Sequence, residues 1–117
     1  MMPASPPGPL QVFKAEFFKA LAHPLRIRML EILAGGGRTV QELQEALGLE
    51  QPVVSQQLAV LRAKNIVTAS KEGTAVRYAL RDPAVRELLA VARQIFNHQF
   101  IGAQSMLREL RRETRRR

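Results

Sequence analysis

The sequence predicts a mainly α-helical domain carrying one small β-hairpin, and three observations predict it. Apolar residues recur at helical spacing in successive stretches that open or close on prolines, glycines and capping residues. Two of these stretches, Thr39 to Leu47 and about Gln51 to Lys64, are separated only by a tight turn at Gly48-Leu49. Two alternating stretches follow them, wrapped around Lys71-Glu72-Gly73. Two short helices at a tight turn, followed by a hairpin with a basic tip, make a winged helix-turn-helix, a device for reading DNA. The expected order is four helices, two strands and a long last helix, with the first and last helices forming a dimer interface.

Composition narrows the function. At 117 residues and 46% hydrophobic content, one folded domain is expected. There is no cysteine, so disulfides, thiolate metal sites and cysteine nucleophiles are excluded. No membrane-length apolar run or signal-peptide pattern is present, and a cytoplasmic protein is expected. The formal charge of +8 is unevenly spread. Residues 1–50 and 82–107 are each neutral, whereas 51–81 and 108–117 each carry a net +4. The excess lies on the second helix of the pair with its hairpin, and on the tail, which points to a polyanionic partner. Charge kept for solubility is the plainer alternative.

Met1 to Pro9 holds four prolines and no apolar period, and is expected to be a disordered arm. The folded domain then spans 10–112, and 113–117 is a basic tail. From Leu10, Val12, Phe13, Phe17 and Leu21 share one face of a first helix, which takes three of the five phenylalanines. A face so rich in phenylalanine needs a large surface to bury it. His23-Pro24 opens a second helix that is apolar nearly all round and so belongs in the core. The glycines at 35–37 end it; no Gly-Lys-Ser/Thr follows, so they read as a linker rather than a phosphate loop.

Thr39 and Glu42 form a capping box for the third helix, whose Val40, Leu43 and Leu47 face inward. Gly48 supplies a left-handed C-terminus. On the fourth helix Val54, Leu58 and Leu61 lie on one side. The opposite side centres on Gln56, with Pro52, Ser55 and Ala59 around it. It is polar, uncharged and slim, as a helix in the major groove must be, with amides that donate to and accept from base edges. A merely solvated helix would more often carry Glu and Lys there. Asn65 closes this helix. In the hairpin, Gly73 takes a positive φ, and Lys71 with Arg77 can reach phosphate or the minor groove; Arg62 adds charge at the helix end. Asp82-Pro83 starts the last helix, expected to run to about Arg112. Leu89, Ala92, Phe96, Gln99, Ala103, Met106 and Leu110 make a coiled-coil-like seam on it. With Phe13 and Phe17, the residues Leu89, Phe96, Ala103 and Leu110 are the expected dimer contacts. A dimer places two recognition helices on a near-palindromic operator in double-stranded DNA.

These motifs resemble a known family. Ala20-Leu21-Ala22-His23-Pro24-Leu25-Arg26-Ile27-Arg28-Met29-Leu30 resembles the second-helix signature of ArsR/SmtB-type bacterial transcription factors. Gln51 to Arg62 is similar to their recognition helix, and Glu72-Gly73 with Arg77-Tyr78-Ala79-Leu80 to their wing. The resemblance covers roughly residues 12 to 100. It implies a homodimeric winged-helix regulator, usually a repressor released from its operator by a ligand, often a metal ion. The matching DNA-facing positions are Gln51, Ser55, Gln56 and Gln57, with Lys71 and Arg77 from the wing. The helical wheel supports Ser55 and Gln56 better than Gln57, which turns part-way toward the core side.

Sensing is where the chain departs from the family. Members that detect soft metals carry cysteines near the third helix, where this chain has Val40 to Glu45. Zinc-binding members pair carboxylates with two histidines on the last helix, which here offers only His98. No cofactor is therefore expected, although a weak Ni2+ or Zn2+ site using His98 and carboxylates across a dimer stays open. His23 suits a cap or core role. Other readings are a DNA-binding subunit dependent on a separate sensor or co-regulator protein, and a protein-interaction module that docks an acidic partner. An enzyme is not expected, because Ser55 has no histidine nearby in sequence and no carboxylate pair stands out.

Overall fold

The computed structural model describes residues 5–116. The first four residues of the expected arm, and Arg117 of the expected tail, lie outside the described residues. The chain divides into two compact units, Met1–Pro83 and Ala84–Arg117.

In the first unit, helix α1 (Pro9–Leu21) begins at the last proline of the arm. Pro9 has no amide hydrogen to lose at a first helical position, and Gln11 Oε1 accepts the Gly8 amide at 2.9 Å. Helix α2 (Pro24–Leu33) starts in the same way, and His23 Nδ1 accepts the Leu25 amide at 3.2 Å, so of the two roles expected of it, cap or core, it takes the cap. Helices α3 (Val40–Leu47) and α4 (Gln51–Ala63) form the pair. Strands β2 (Val67–Glu72) and β3 (Ala75–Leu80) form the hairpin.

A two-residue strand, β1 (Arg38–Thr39), was not foreseen. It pairs antiparallel with β3, Arg38 opposite Tyr78 and Thr39 opposite Arg77, so the sheet has three strands in the order β1-β3-β2. This seats the wing against the start of α3. It also explains the glycines before it. Gly36 has φ +128°, open only to glycine, and a Cβ at Gly37 would stand 3.2 Å from the Tyr78 carbonyl oxygen.

The core of this unit is made by Met29, Leu30 and Leu33 of α2, Leu43 of α3, Val54, Leu58 and Leu61 of α4, and Ile66 and Val67. All are at most 2% exposed, and each such side chain stabilises the fold by about 1.5–3 kcal/mol. Helix α2 is less enclosed than its apolar sequence suggests. Ile27 is 39% exposed, because only one side of α2 meets α3, α4 and the sheet. Helix α1 packs on α2 but leaves Val12, Phe13 and Phe18 exposed, Phe13 at 75%. Val12, Phe13 and Phe17 also line an open hollow of about 730 Å³ beside Ala63 and Lys64.

The second unit is a single helix, α5 (Ala84–Arg116). It starts just after Pro83 and runs a turn past Arg112, with Thr114 Oγ1 donating to the Leu110 carbonyl at 2.9 Å. Phe96, Phe100, Ile101, Met106, Leu107 and Leu110 are all more than half exposed. Among the described residues no helix is long and apolar enough to cross a membrane.

Candidate nucleic-acid interface

Three local devices aim α4. The Thr39 hydroxyl accepts the Glu42 amide at 3.2 Å, and the Glu42 carboxylate accepts the Thr39 amide at 2.9 Å, which fixes where α3 starts. At the other end Gly48 adopts φ +67°, and the Gly48 and Leu49 amides both donate to the Gln44 carbonyl. This left-handed closure turns the chain sharply into α4. Asn65, at φ +59°, closes α4, with the Ile66 amide reaching back to the Leu61 carbonyl at 2.9 Å.

Burial of Val54, Leu58 and Leu61 points the far side of α4 outward. Gln51, Pro52, Gln56 and Ala59 are exposed there and Ser55 is half-buried, with Arg62 exposed near the helix end. Beside them Gln41, Gln44, Gln51, Thr74 and Val76 line an open polar groove of about 720 Å³ running from α3 and the start of α4 to the wing. Lys71 is exposed toward the hairpin tip, where Gly73 takes φ +64°. Among the described residues neither Arg62 nor Lys71 pairs with a carboxylate, whereas Lys64 sits 3.6 Å from Glu16.

Two expected contacts are engaged elsewhere within the unit. Gln57 accepts a hydrogen bond from Arg26 Nη1 at 3.0 Å. Arg77 donates through Nε to Glu72 and through Nη1 to the Gly37 carbonyl at 2.8 Å, and lies 3.7 Å from Glu42. The Glu72 hydrogen bond and charge hold the Arg77 guanidinium above its ordinary value, so it stays charged. The Arg77 side chain thus ties the wing to the glycine turn and to α3. Sequence reading missed this, because Gly37 and Glu42 are far from Arg77 in the chain and no local pattern announces the meeting.

The Thr39 amide and hydroxyl, then Arg77 and Arg38, hold the Glu42 carboxyl below the usual carboxylate value. A lowered folded value means that the contribution of charged Glu42 to stability is complete above about pH 4.3. It is lost as pH falls through the lowered value. Glu42→Gln should therefore lower the thermal midpoint at neutral pH and flatten its fall below about pH 4. An equal fall in both proteins would show that Glu42 does not drive it.

His98 is exposed on α5, and among the described residues no group of three His, Cys, Asp or Glu is placed to hold a metal ion. The expected dimer residues divide between the units. Phe13 and half-buried Phe17 lie on α1; exposed Phe96, Ala103 and Leu110 and half-buried Leu89 lie on α5.

Comparison with known proteins agrees with this geometry. The sequence model for the arsR family of bacterial regulatory proteins matches residues 23–69, which hold α2, β1, α3, α4 and the start of the wing. The chain is 46% identical over 104 residues to the HTH-type transcriptional regulator Rv0081 of Mycobacterium tuberculosis, covering 88% of this chain and 91% of that one. The crystal structure of Rv0081 superposes with a TM-score of 0.76 over 82% of this chain and 97% of that chain. The chain is also 40% identical over 79 residues to a probable mercury resistance operon repressor of Streptomyces lividans, covering 68% of this chain and 63% of that protein. The homodimeric winged helix-turn-helix DNA-binding domain of Mb0332 from Mycobacterium bovis matches at 28% identity with a TM-score of 0.71, over 81% of this chain and 91% of that one. The chain belongs to the arsR family of bacterial regulatory proteins and is a winged helix-turn-helix transcriptional regulator.

Proposed function

We propose that the protein is a homodimeric repressor that reads a near-palindromic operator with α4 and grips its backbone with the wing. The observation that carries this reading is the outward face of α4. Gln51, Ser55, Gln56 and Ala59 give it short or amide side chains without charge, suited to base edges at close range. Arg62 and Lys71 flank that face with charge not spent on carboxylates, suited to phosphates. The exposed apolar faces of α1 and α5 support dimerisation, and the homodimeric Mb0332 domain does so by analogy. The Streptomyces lividans protein supports repression. The chain has no cysteine, so any signal that releases it acts through other groups.

The test is a fluorescence-anisotropy titration on the DNA upstream of its own gene and on a scrambled duplex of equal length. Tight binding to the first alone, at two protomers per site, supports the reading. Equal binding to both overturns it. Gln56→Ala should cost about 1–3 kcal/mol on the operator and relax preference at one position per half-site. Lys71→Ala should weaken binding to operator and scrambled DNA by the same factor. If both changes act alike on every duplex, the roles are wrongly assigned.

A further inference from the structure

We propose that Arg26 is a positioning residue for DNA recognition, fastening the recognition helix to the end of α1, and that Gln57 serves as its attachment point on α4 rather than as a reader of bases.

Arg26 stands in the first turn of α2, where the positive end of the helix dipole disfavours a cation. Its place is explained by what it holds. Nε donates to the Ala20 carbonyl at 2.6 Å, and Nη1 donates to Gln57 Oε1 at 3.0 Å. Ala20 lies in the last turn of α1, where carbonyls have no onward helical partner. The neighbouring Lys19 and Leu21 carbonyls receive the Ala22 and His23 amides, and the Ala20 carbonyl receives the guanidinium instead. One half-buried, rigid fork thus satisfies a buried residue's carbonyl on α1 and an amide on α4, six and thirty-one residues away. A planar guanidinium fixes direction as well as distance, so it resists rotation of α4 about its own axis. Lys64 and Glu16, at 3.6 Å, make a second link between α4 and α1, but both side chains are about half exposed and the pair is correspondingly weak. Rotation matters for a helix read from one face: a modest turn moves Gln56 off its base edge while Val54, Leu58 and Leu61 stay buried.

This assignment rests on α4 being the DNA-reading helix, and the experiment separates the two. Operator affinity, thermal midpoint and the sequence preferred from a randomised operator pool are measured for the wild type, Arg26→Met, Gln57→Met, the double variant and Arg26→Lys. Each Met variant should bind roughly tenfold more weakly, as expected for a lost charge-assisted hydrogen bond. The double variant should bind no more weakly than the singles, and the preferred base at each position should stay the same while discrimination at the Gln56 position weakens. Arg26→Lys keeps the charge without the fork and should fall between. If Arg26→Met does not fold, Arg26→Lys combined with Gln57→Met should still bind no more weakly than Gln57→Met alone. Losses that multiply overturn the assignment. So does a Gln57→Met protein that changes its preferred base at one position, because that marks Gln57 as a reader. Absence of specific binding by the wild type overturns the reading role of α4, and this assignment with it.

Discussion

Phe96→Glu leaves a folded protein that sediments as a monomer and binds its operator at least about a hundredfold more weakly. The argument begins with exposure: Phe96 is 64% exposed on α5 and Phe13 is 75% exposed on α1. Neither side chain belongs to the core of its own protomer, so a charge there leaves the protomer fold intact. Across a two-fold interface each substitution counts twice. Two phenyl rings lose burial worth about 1.5–3 kcal/mol each, and two carboxylates must be desolvated if the dimer still forms. Operator binding falls with the dimer, because a lone protomer engages a single half-site. Phe13→Glu should act in the same way. Sedimentation equilibrium with anisotropy on the same samples checks this, and a Phe96→Glu dimer with undiminished affinity refutes the interface.

Leu58→Ala should destabilise the protein by about 2–5 kcal/mol and lower its thermal midpoint by about 10–25 °C. Leu58 is fully buried in the middle of α4, where that helix meets α2, α3 and β2. Removing its branched end leaves a cavity that the surrounding Leu and Val side chains cannot fill without moving the recognition helix. A domain of this size has about 5–15 kcal/mol in total, so the loss is a large share. Leu58→Met, which nearly conserves volume, should cost less than about 1.5 kcal/mol. Thermal unfolding followed by circular dichroism distinguishes the two. A midpoint within a few degrees of the wild type for Leu58→Ala would mean that this face does not anchor α4.

Much of this architecture could be read from residues whose effects are local. The Thr39–Glu42 box, proline at the start of α2, Gly48 and Asn65 each act within a turn of their own position, so each told where an element begins or ends. The same holds for the outward face of α4, because three buried residues fix which side remains. Strand β1 escaped notice because two residues carry no period, and its partner Tyr78 is distant in sequence. The roles of Arg26 and Arg77 escaped for a related reason: a guanidinium can reach any acceptor that folding brings near, and its sequence neighbours do not say which. Helix α5 continues past the expected end at Arg112 because Glu113, Arg115 and Arg116 are good helix formers, whereas in the sequence alone the charge run reads as a tail.

The tie made by Arg77 changes which charges a polyanion meets at close range. Arg77 is engaged by Glu72, which the net +4 of residues 51–81 already counts, and by Glu42 of α3, so the cations beside α4 that face no carboxylate include Arg62 and Lys71. The equal net charge of residues 108–117 stands at the other end of the chain, in a stretch rich in arginine. On the proposed reading, capture from bulk solution would draw on this arginine-rich stretch and discrimination between sequences on α4. The rate of finding DNA would then be adjustable through residues 108–117 without disturbing which site is chosen.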